Sequence, residues 1–255
     1  MTTFLVAGGT GVAGRAVVAE LVGRGAAVRV LSRRGGTSDG VRHMVGDLVS
    51  GDGLAAALDG VDVVVDTTDG KTRSTRGVFS TGAANLLSAA EAAGVSHTVL
   101  LSIVGVDRGR FAYYRAKARQ EQLYRDSALP TRVVRSTQFH EFVPMICAPT
   151  ARIGVIPAFT HTRFQSIDTS DVARALVDAA TAEQPSPAEP TVVGGPEVLT
   201  MREMVLAWKA ATGTRGRVTN LRMPGGMGEF WRNGWNLVPD KKFGTVTFDQ
   251  WLARR

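Results

Sequence analysis

The chain is poor in the residues that build disulfides and metal sites. Cys147 is the only cysteine among 255 residues, so an internal disulfide is excluded. No Cys/His cluster has zinc-site spacing, and no metal is expected. Long apolar runs are also missing: no stretch approaches the ~18 uninterrupted apolar residues of a membrane span. The N-terminus lacks a basic leader region and enters a strand almost at once. These absences predict a soluble protein in a reducing, cytoplasmic setting, with no membrane partner. No internal repeat, heptad or low-complexity array is visible. A net charge of +7 and a pI near 10.2 raise a nucleic-acid partner. The arginines are dispersed, however, and no basic helix, aromatic-interleaved strand or recognition motif accompanies them, so nucleic acid is not expected.

What is present is an ordinary globular composition, 44% hydrophobic and 21% charged, able to bury a substantial core. The length suits one large α/β domain or a domain with an appended lobe. Residues 4–14 read Phe-Leu-Val-Ala-Gly-Gly-Thr-Gly-Val-Ala-Gly. An apolar strand runs into Gly8, Gly11 and Gly14, with Thr10 between them and a helical stretch opening at Val12. Glycines at this spacing allow a tight turn, a close approach to a pyrophosphate and close packing of the helix on its strand. The helix N-terminus adds free N–H donors and a positive dipole. The match gains weight from its context, a strand before, Val12 to Leu21 after, and a second strand Ala27 to Leu31.

Apolar strand-like runs then alternate with helix-like runs. The strands are expected at Phe4 to Ala7, Ala27 to Leu31, Val41 to Val45, Val61 to Asp66, His97 to Ser102 and Arg132 to Arg135. Between them lie helical stretches Val12 to Leu21, Gly53 to Leu58, Gly77 to Ala93 and Tyr113 to Ser127, with Gly94 and Pro130 as stop signals. Such alternation predicts an α/β fold: a doubly wound parallel, Rossmann-like sheet over residues 1–138, with a smaller C-terminal substrate-binding lobe over 139–255 interleaved with it. Polar and glycine residues cluster after successive strands, at 8–14, 32–34, 46–48, 67–69, 102–105 and 136–138. If the strands are parallel, these groups share the rim where ligands bind.

Cofactor choice turns on the end of the second strand, which carries Ser32, Arg33 and Arg34 rather than an acidic residue. Arginine there accommodates a ribose 2′-phosphate and serine can donate a hydrogen bond, so NADP(H) is expected over NAD(H). A solvated turn is the alternative.

The glycine motif, Asn85-Leu-Leu-x-Ala-Ala-x-x-Ala-Gly-Val95, Tyr113-Tyr-Arg-Ala-Lys117, Val133-Val-Arg-Ser-Thr-Gln-Phe139 and Asp171-Val-Ala together resemble the NmrA-like group of atypical short-chain dehydrogenase/reductases. The resemblance covers most of residues 1–175. It implies the dinucleotide-binding fold, an adenine-side contact at Asp47 and Leu48, cofactor-facing Thr67 and Thr68, and a nicotinamide-side segment at Thr137 and Gln138. For Asp47 a turn-stabilising role is the rival. Asp171 reads as a helix cap. Thr81 stands where related enzymes carry a site Asn or Asp, and Ser136 where the group often has proline.

Tyr113 and Lys117 are four apart, which on a helix puts them on one face. An ammonium there could hold the nicotinamide ribose and lower the phenol's pKa, so that Tyr113 exchanges a proton while hydride moves. Ser102, at the end of the fifth strand, could contact cofactor or hydrogen-bond the substrate oxygen.

On the substrate side stand Phe139, His140, Phe142, Gln165 and Trp231. His140 is either an acid, base or donor, or simply a packed and hydrogen-bonded residue. Phe164 to Ile167 reads as a short strand. Residues 181–190 read as an exposed connector, Met201 to Ala211 as a helix, and Pro224-Gly-Gly-Met-Gly228 as a break. The following Phe230, Trp231, Trp235 and Phe243 could form a lid with glycine hinges or a packed core. Two function classes follow: an NADP(H)-dependent oxidoreductase acting on a small apolar or aromatic carbonyl, quinone or enone, or an NADP(H)-sensing regulator. An isomerase using transient oxidation is a third. Oligomeric state is open.

Overall fold

The computed structural model describes residues 1–37, 40–70, 77–183 and 189–255. The expected connector therefore falls partly outside the described residues, at 184–188. Strands β1 (Thr3–Ala7), β2 (Ala27–Ser32), β3 (Val41–Val45), β4 (Val63–Asp66), β5 (His97–Ile103), β6 (Thr131–Ser136) and β9 (Thr191–Val193) form one sheet. Their order is β3-β2-β1-β4-β5-β6-β9. The fold is the expected Rossmann-like parallel sheet: β1 lies parallel between β2 and β4, and β2–β3 and β4–β5 are also parallel. The order reverses at β1, and the carboxyl ends of β1 and β4 flank the crevice where such sheets bind ligands.

Two compact units divide the chain. The first comprises 1–102, 112–135 and 172–191. Its helices are α1 (Val12–Gly23), α2 (Leu54–Leu58), α3 (Thr81–Ala92), α4 (Ala112–Arg125) and most of α6 (Thr169–Thr181). Leu5, Ala7, Leu31 and Val64 from the strands pack with Leu54, Leu58, Leu86, Leu87 and Tyr124 from the helices. Consecutive buried residues in β1 and β4 show both sheet faces covered, which is why these strands are unbroken apolar runs. Helix α1 ends where Gly25, at φ 75°, turns the chain back toward β2.

The second unit comprises 103–111, 136–171 and 192–255. It holds α5 (Phe142–Ala151), β7 (Val155–Phe159), β8 (Arg163–Phe164), β10 (Leu199–Thr200), α7 (Met201–Thr212), β11 (Arg217–Leu221), α8 (Gly225–Arg232) and α9 (Phe248–Ala253). Strand β11 pairs parallel with β7, and β10 antiparallel with β8. Thr200 with Glu203, and Thr247 with Gln250, form capping boxes that start α7 and α9. Gly213, at φ 63°, ends α7 in the left-handed conformation.

The expected break at 224–228 is corrected: these glycines open helix α8. Tertiary packing overrides their poor helix propensity. Phe230 and Trp231 are buried, the Arg232 guanidinium donates to the Met223 carbonyl at 2.8 Å, and a Cβ at Gly228 would stand 1.9 Å from that same oxygen. The strand expected at 164–167 is confined to β8, Ile167 forming an isolated parallel bridge with Phe139.

Candidate functional site

The cradle forms where β1 meets α1. The Gly11 N–H donates to the Gly8 carbonyl at 2.8 Å, closing the turn. Gly8 has φ 76°, and a Cβ there would lie 3.0 Å from the backbone of Thr67 and Thr68; at Gly14 it would lie 2.2 Å from the Gly8 oxygen. These two positions therefore require glycine. Gly11 is different: a Cβ there meets one atom within 4 Å, the Gly8 oxygen at 3.1 Å, so it is crowded on the turn side alone. No side chain caps α1 and its first turn carries no acidic residue. Thr10, Gly11 and Val12 are exposed, and Arg15 donates to the Thr10 carbonyl at 2.6 Å. A helix start with no side-chain cap and no acidic residue, beside a glycine turn, fits a pyrophosphate. Thr67 clips the end of β4 to β1, its hydroxyl donating to the Ala7 carbonyl at 2.9 Å.

Along the same rim, Arg33 and Arg34 are exposed after β2, and the Ser32 hydroxyl donates to the Arg34 carbonyl. The Asp47 carboxylate accepts from the Val49 N–H at 2.7 Å and orders its own loop. Asn85 of α3 donates to the Leu48 and Val49 carbonyls at 2.9 and 3.0 Å, holding that loop from the helix side.

Helix α4 carries Tyr113 and Lys117. Its buried stripe is Tyr114, Lys117, Gln120, Glu121 and Tyr124, polar where a core helix is usually apolar. Buried polar groups need partners, and nearly all of these have them. Asp66, at the end of β4 and 1% exposed, accepts from Tyr124 at 2.7 Å, from Gln120 at 2.9 Å and, through its other oxygen, from the Thr68 N–H at 2.8 Å. Glu121 accepts from Ser102 at 2.6 Å and from Arg135 at 2.7 Å, and it also pairs with Arg125. Ser102 is thus buried and committed to Glu121.

Lys117 is the exception. It is 4% exposed and its ammonium lies 5.0 Å from the centroid of the Phe79 ring. Among the described residues it makes no hydrogen bond or ion pair, leaving three donors for a ligand. Burial lowers its pKa, against the raising pull of Asp66, Asp69 and Glu121. Tyr113 stands one turn away, its hydroxyl donating to Asp69 at 2.9 Å and its ring edge-on to Phe79 at 5.7 Å. The expected lowering of the phenol's pKa is reversed here: burial first, then the Asp69 charge, pushes it up.

The other predicted residues lie in the second unit. Thr137 receives the Gly195 N–H on its hydroxyl at 3.4 Å and donates its own N–H to Val193 at 3.1 Å; the Gln138 carbonyl accepts from Ile167 at 2.9 Å. His140 is fully buried between the Ser166 hydroxyl, 2.8 Å from Nδ1, and the Val246 carbonyl, 3.1 Å from Nε2. The carbonyl requires the proton on Nε2, so Nδ1 accepts from the serine. Gln165 is equally buried, donating to Gly195 at 2.9 Å and accepting from Val238 at 2.8 Å. Trp231 packs with Phe142, Phe159 and Phe164, with ring centroids 5.2–5.6 Å away. Phe139 and Phe142 are half-buried.

The cap reading of Asp171 is corrected. Asp168 accepts from the Ser170 N–H at 2.7 Å, whereas Asp171 accepts from the N–H groups of Thr245 and Val246 at 2.9 and 3.2 Å. Sequence reasoning missed Asp66, Glu121 and Gln120 altogether. The only signal of Gln120 and Glu121 was polarity three and four positions after Lys117 on the helix, and Asp66 stood in the sequence only as the end of a strand. Burial pushes the Cys147 thiol up to about 12, which removes thiolate chemistry. Among the described residues no group of three His, Cys, Asp or Glu side chains could hold a metal ion, and no helix is long and apolar enough to cross a membrane.

A parallel sheet with a glycine cradle at its reversal point defines a dinucleotide-binding α/β protein. The NAD(P)H-binding family matches residues 8–183, and the chain belongs to it. Among curated proteins it is 24% identical over 264 residues to the photosystem II assembly factor Ycf39 of Cyanophora paradoxa, covering 96% of this chain and 81% of that one. Among solved structures it resembles the NADPH complex of the NADPH-dependent quinone oxidoreductase QOR2 of Escherichia coli, with a TM-score of 0.79, 16% identity and coverage of 98% and 99%. A short-chain dehydrogenase/reductase superfamily protein of Agrobacterium tumefaciens with bound NAD gives a TM-score of 0.74, 22% identity and coverage of 99% and 95%. The UDP-glucose 4-epimerase of Thermus thermophilus with NAD gives 0.72, 19%, and 94% and 98%. The family match establishes a pyridine-nucleotide-binding domain, and the structural likenesses establish the fold.

Proposed function

We propose that the protein is an NADP(H)-dependent oxidoreductase that moves hydride to or from a small apolar or aromatic carbonyl, quinone or enone. The observation that carries this is Lys117: a buried ammonium without an acceptor among the described residues, one helical turn from a phenol. A bare cofactor store has no need of that pair. Bound cofactor would supply the hydride. Gly8, Thr10, Gly11, Val12 and Gly14 would hold its pyrophosphate, Arg33 and Arg34 its 2′-phosphate, and Lys117 its nicotinamide ribose. Tyr113 would give or take the substrate proton. Glu121 fixes Ser102 at the end of β5, and we assign Ser102 a supporting place rather than direct contact with the substrate oxygen.

Asp47 and Leu48, Thr67 and Thr68, and Thr137 and Gln138 would line the cofactor through backbone as much as side chain. Phe139 and Phe142 offer partly open ring surface to a substrate; His140, Gln165 and Trp231 would hold the shape behind them. The quinone oxidoreductase among the similar structures, with its NADPH, supports this reading. The single buried cysteine suits a reducing, cytoplasmic setting.

The test is NADPH consumption across a panel of ketones, quinones and enones. Saturable turnover is expected, and Tyr113→Phe should lower kcat by about 10²-fold or more. An undiminished rate would remove the phenol from the mechanism. A second reading, a cofactor-sensing regulator, is favoured by one observation: the Ser102 and Tyr113 hydroxyls are both already engaged by carboxylates. Tight NADPH binding with no turnover of any panel member would select it.

A further inference from the structure

Asp69 has no part in the reading above, yet its side chain touches the proposed acid. It lies three residues beyond β4, is exposed to solvent, and accepts the Tyr113 hydroxyl at 2.9 Å. The phenol itself is half-buried. Phe79, 1% exposed, packs edge-on against the Tyr113 ring at 5.7 Å and lies beneath the Lys117 ammonium. Tyr114 packs on Tyr113 at 6.0 Å. A phenol walled by rings on two sides thus leads through one hydrogen bond to a solvated carboxylate.

Resting on the oxidoreductase reading, we propose that Asp69 is a positioning residue that aims the Tyr113 hydroxyl and carries its proton between the site and solvent. In the reducing direction the Tyr113 O–H bond breaks and its proton passes to the substrate oxygen as hydride arrives at the adjacent carbon. The Asp69 carboxylate, now facing a phenolate, takes a proton from solvent and passes it to the phenolate oxygen, which restores the resting hydrogen bond. One solvent proton and one hydride are consumed per turnover, and the cofactor leaves oxidised. The charged and titratable groups that act on this pair are Tyr114 and Lys117 on α4, with Asp66 and Glu121 acting through Lys117. Burial and the Asp69 carboxylate both favour the protonated phenol, which holds the proton in place until an oxyanion forms.

The test uses the full chain with Asp69→Asn and Asp69→Ala. Because Asp69 is exposed, both should fold, which circular dichroism checks. The first readout needs no substrate: tyrosinate absorbance is titrated, with Tyr113→Phe as the reference that isolates this phenol. Asp69→Asn should raise the acidity of Tyr113 by roughly tenfold or more. An unchanged titration would overturn the proposal. The second readout is turnover of a substrate found in the panel. Asp69→Ala should lower kcat about tenfold, more at high pH than at low, and formate or acetate should restore part of the loss. Turnover unaffected by Asp69→Ala, or a loss that small carboxylates fail to relieve, would overturn the relay while leaving the oxidoreductase reading intact. A shifted titration in a protein that turns over nothing would instead sink that reading and the relay with it.

Discussion

Helix α4 of the first unit buries two phenols, an ammonium, an amide and a carboxylate, whereas helix α8 of the second buries a Phe and a Trp. The polar stripe is costly and is offset by shared hydrogen bonds: Asp66 serves Tyr124 and Gln120, and Glu121 serves Ser102 and Arg135. Such pairing makes an unmatched group conspicuous, and Lys117 stands out against it. Rings around Trp231 carry no comparable marker. They satisfy one another by area and by edge or stacked geometry, so they say that the second unit has a core and nothing about which molecule it meets.

Substitutions can sharpen this contrast. Trp231→Ala should cost about 3–5 kcal/mol, read as a fall in the denaturation midpoint, because three neighbouring rings lose their partner. A loss near zero would mean that the cluster is loosely packed and free to serve as a lid. Glu121→Ala should cost about 3 kcal/mol by removing the buried carboxylate shared by Ser102 and Arg135, whose side chain is 15% exposed. The double variant Glu121→Ala/Arg135→Ala should be less destabilised than the sum of the two, since both single variants lose the same ion pair; strict additivity would show that the pair is not coupled. Arg33→Ala should weaken NADPH about tenfold, or ~1.4 kcal/mol, and leave NADH unchanged. Equal losses for both cofactors would end the argument for NADP(H).

The smallest effect is acid sensitivity. Burial lowers the pKa of His97 in the first unit and His140 in the second below the ordinary value of 6.5. Each is therefore bound neutral in the fold. The stabilisation is present above the unfolded value and is lost as pH falls from about 6.5 through the folded pKa. A decline of a few degrees in Tm on acidification is expected, and His97→Gln and His140→Gln should each flatten it. A Tm that rises on acidification would reverse the sign.

Much of the first unit was legible because its strands are buried on both faces. Val41 to Val45 matches β3, and the other five expected strands shift by one or two residues at their ends, as with Val63 replacing Val61. The glycine spacing is equally local, since Gly8 and Gly14 answer to neighbours within a few residues or one strand away. The partners of α4 were not legible. Asp66 and Gln120 are 54 positions apart, and Ser102 and Glu121 are 19 apart; no short-range pattern encodes such pairs. Asp171 looked like a cap because Ser170 and a helical run adjoin it, while its true partners, Thr245 and Val246, lie more than seventy residues on. Helix α8 was hidden by its glycines, because what holds it is ring burial rather than propensity.

All three tyrosines of the chain, Tyr113, Tyr114 and Tyr124, lie on α4, and all four tryptophans, Trp208, Trp231, Trp235 and Trp251, lie in the second unit. The intrinsic chromophores are therefore sorted by region. Tyrosine absorbance reports on the helix that holds the proposed proton donor, and tryptophan fluorescence on the other unit, in one unlabelled sample. A denaturant titration followed by both signals would tell whether the molecule melts in one step or two.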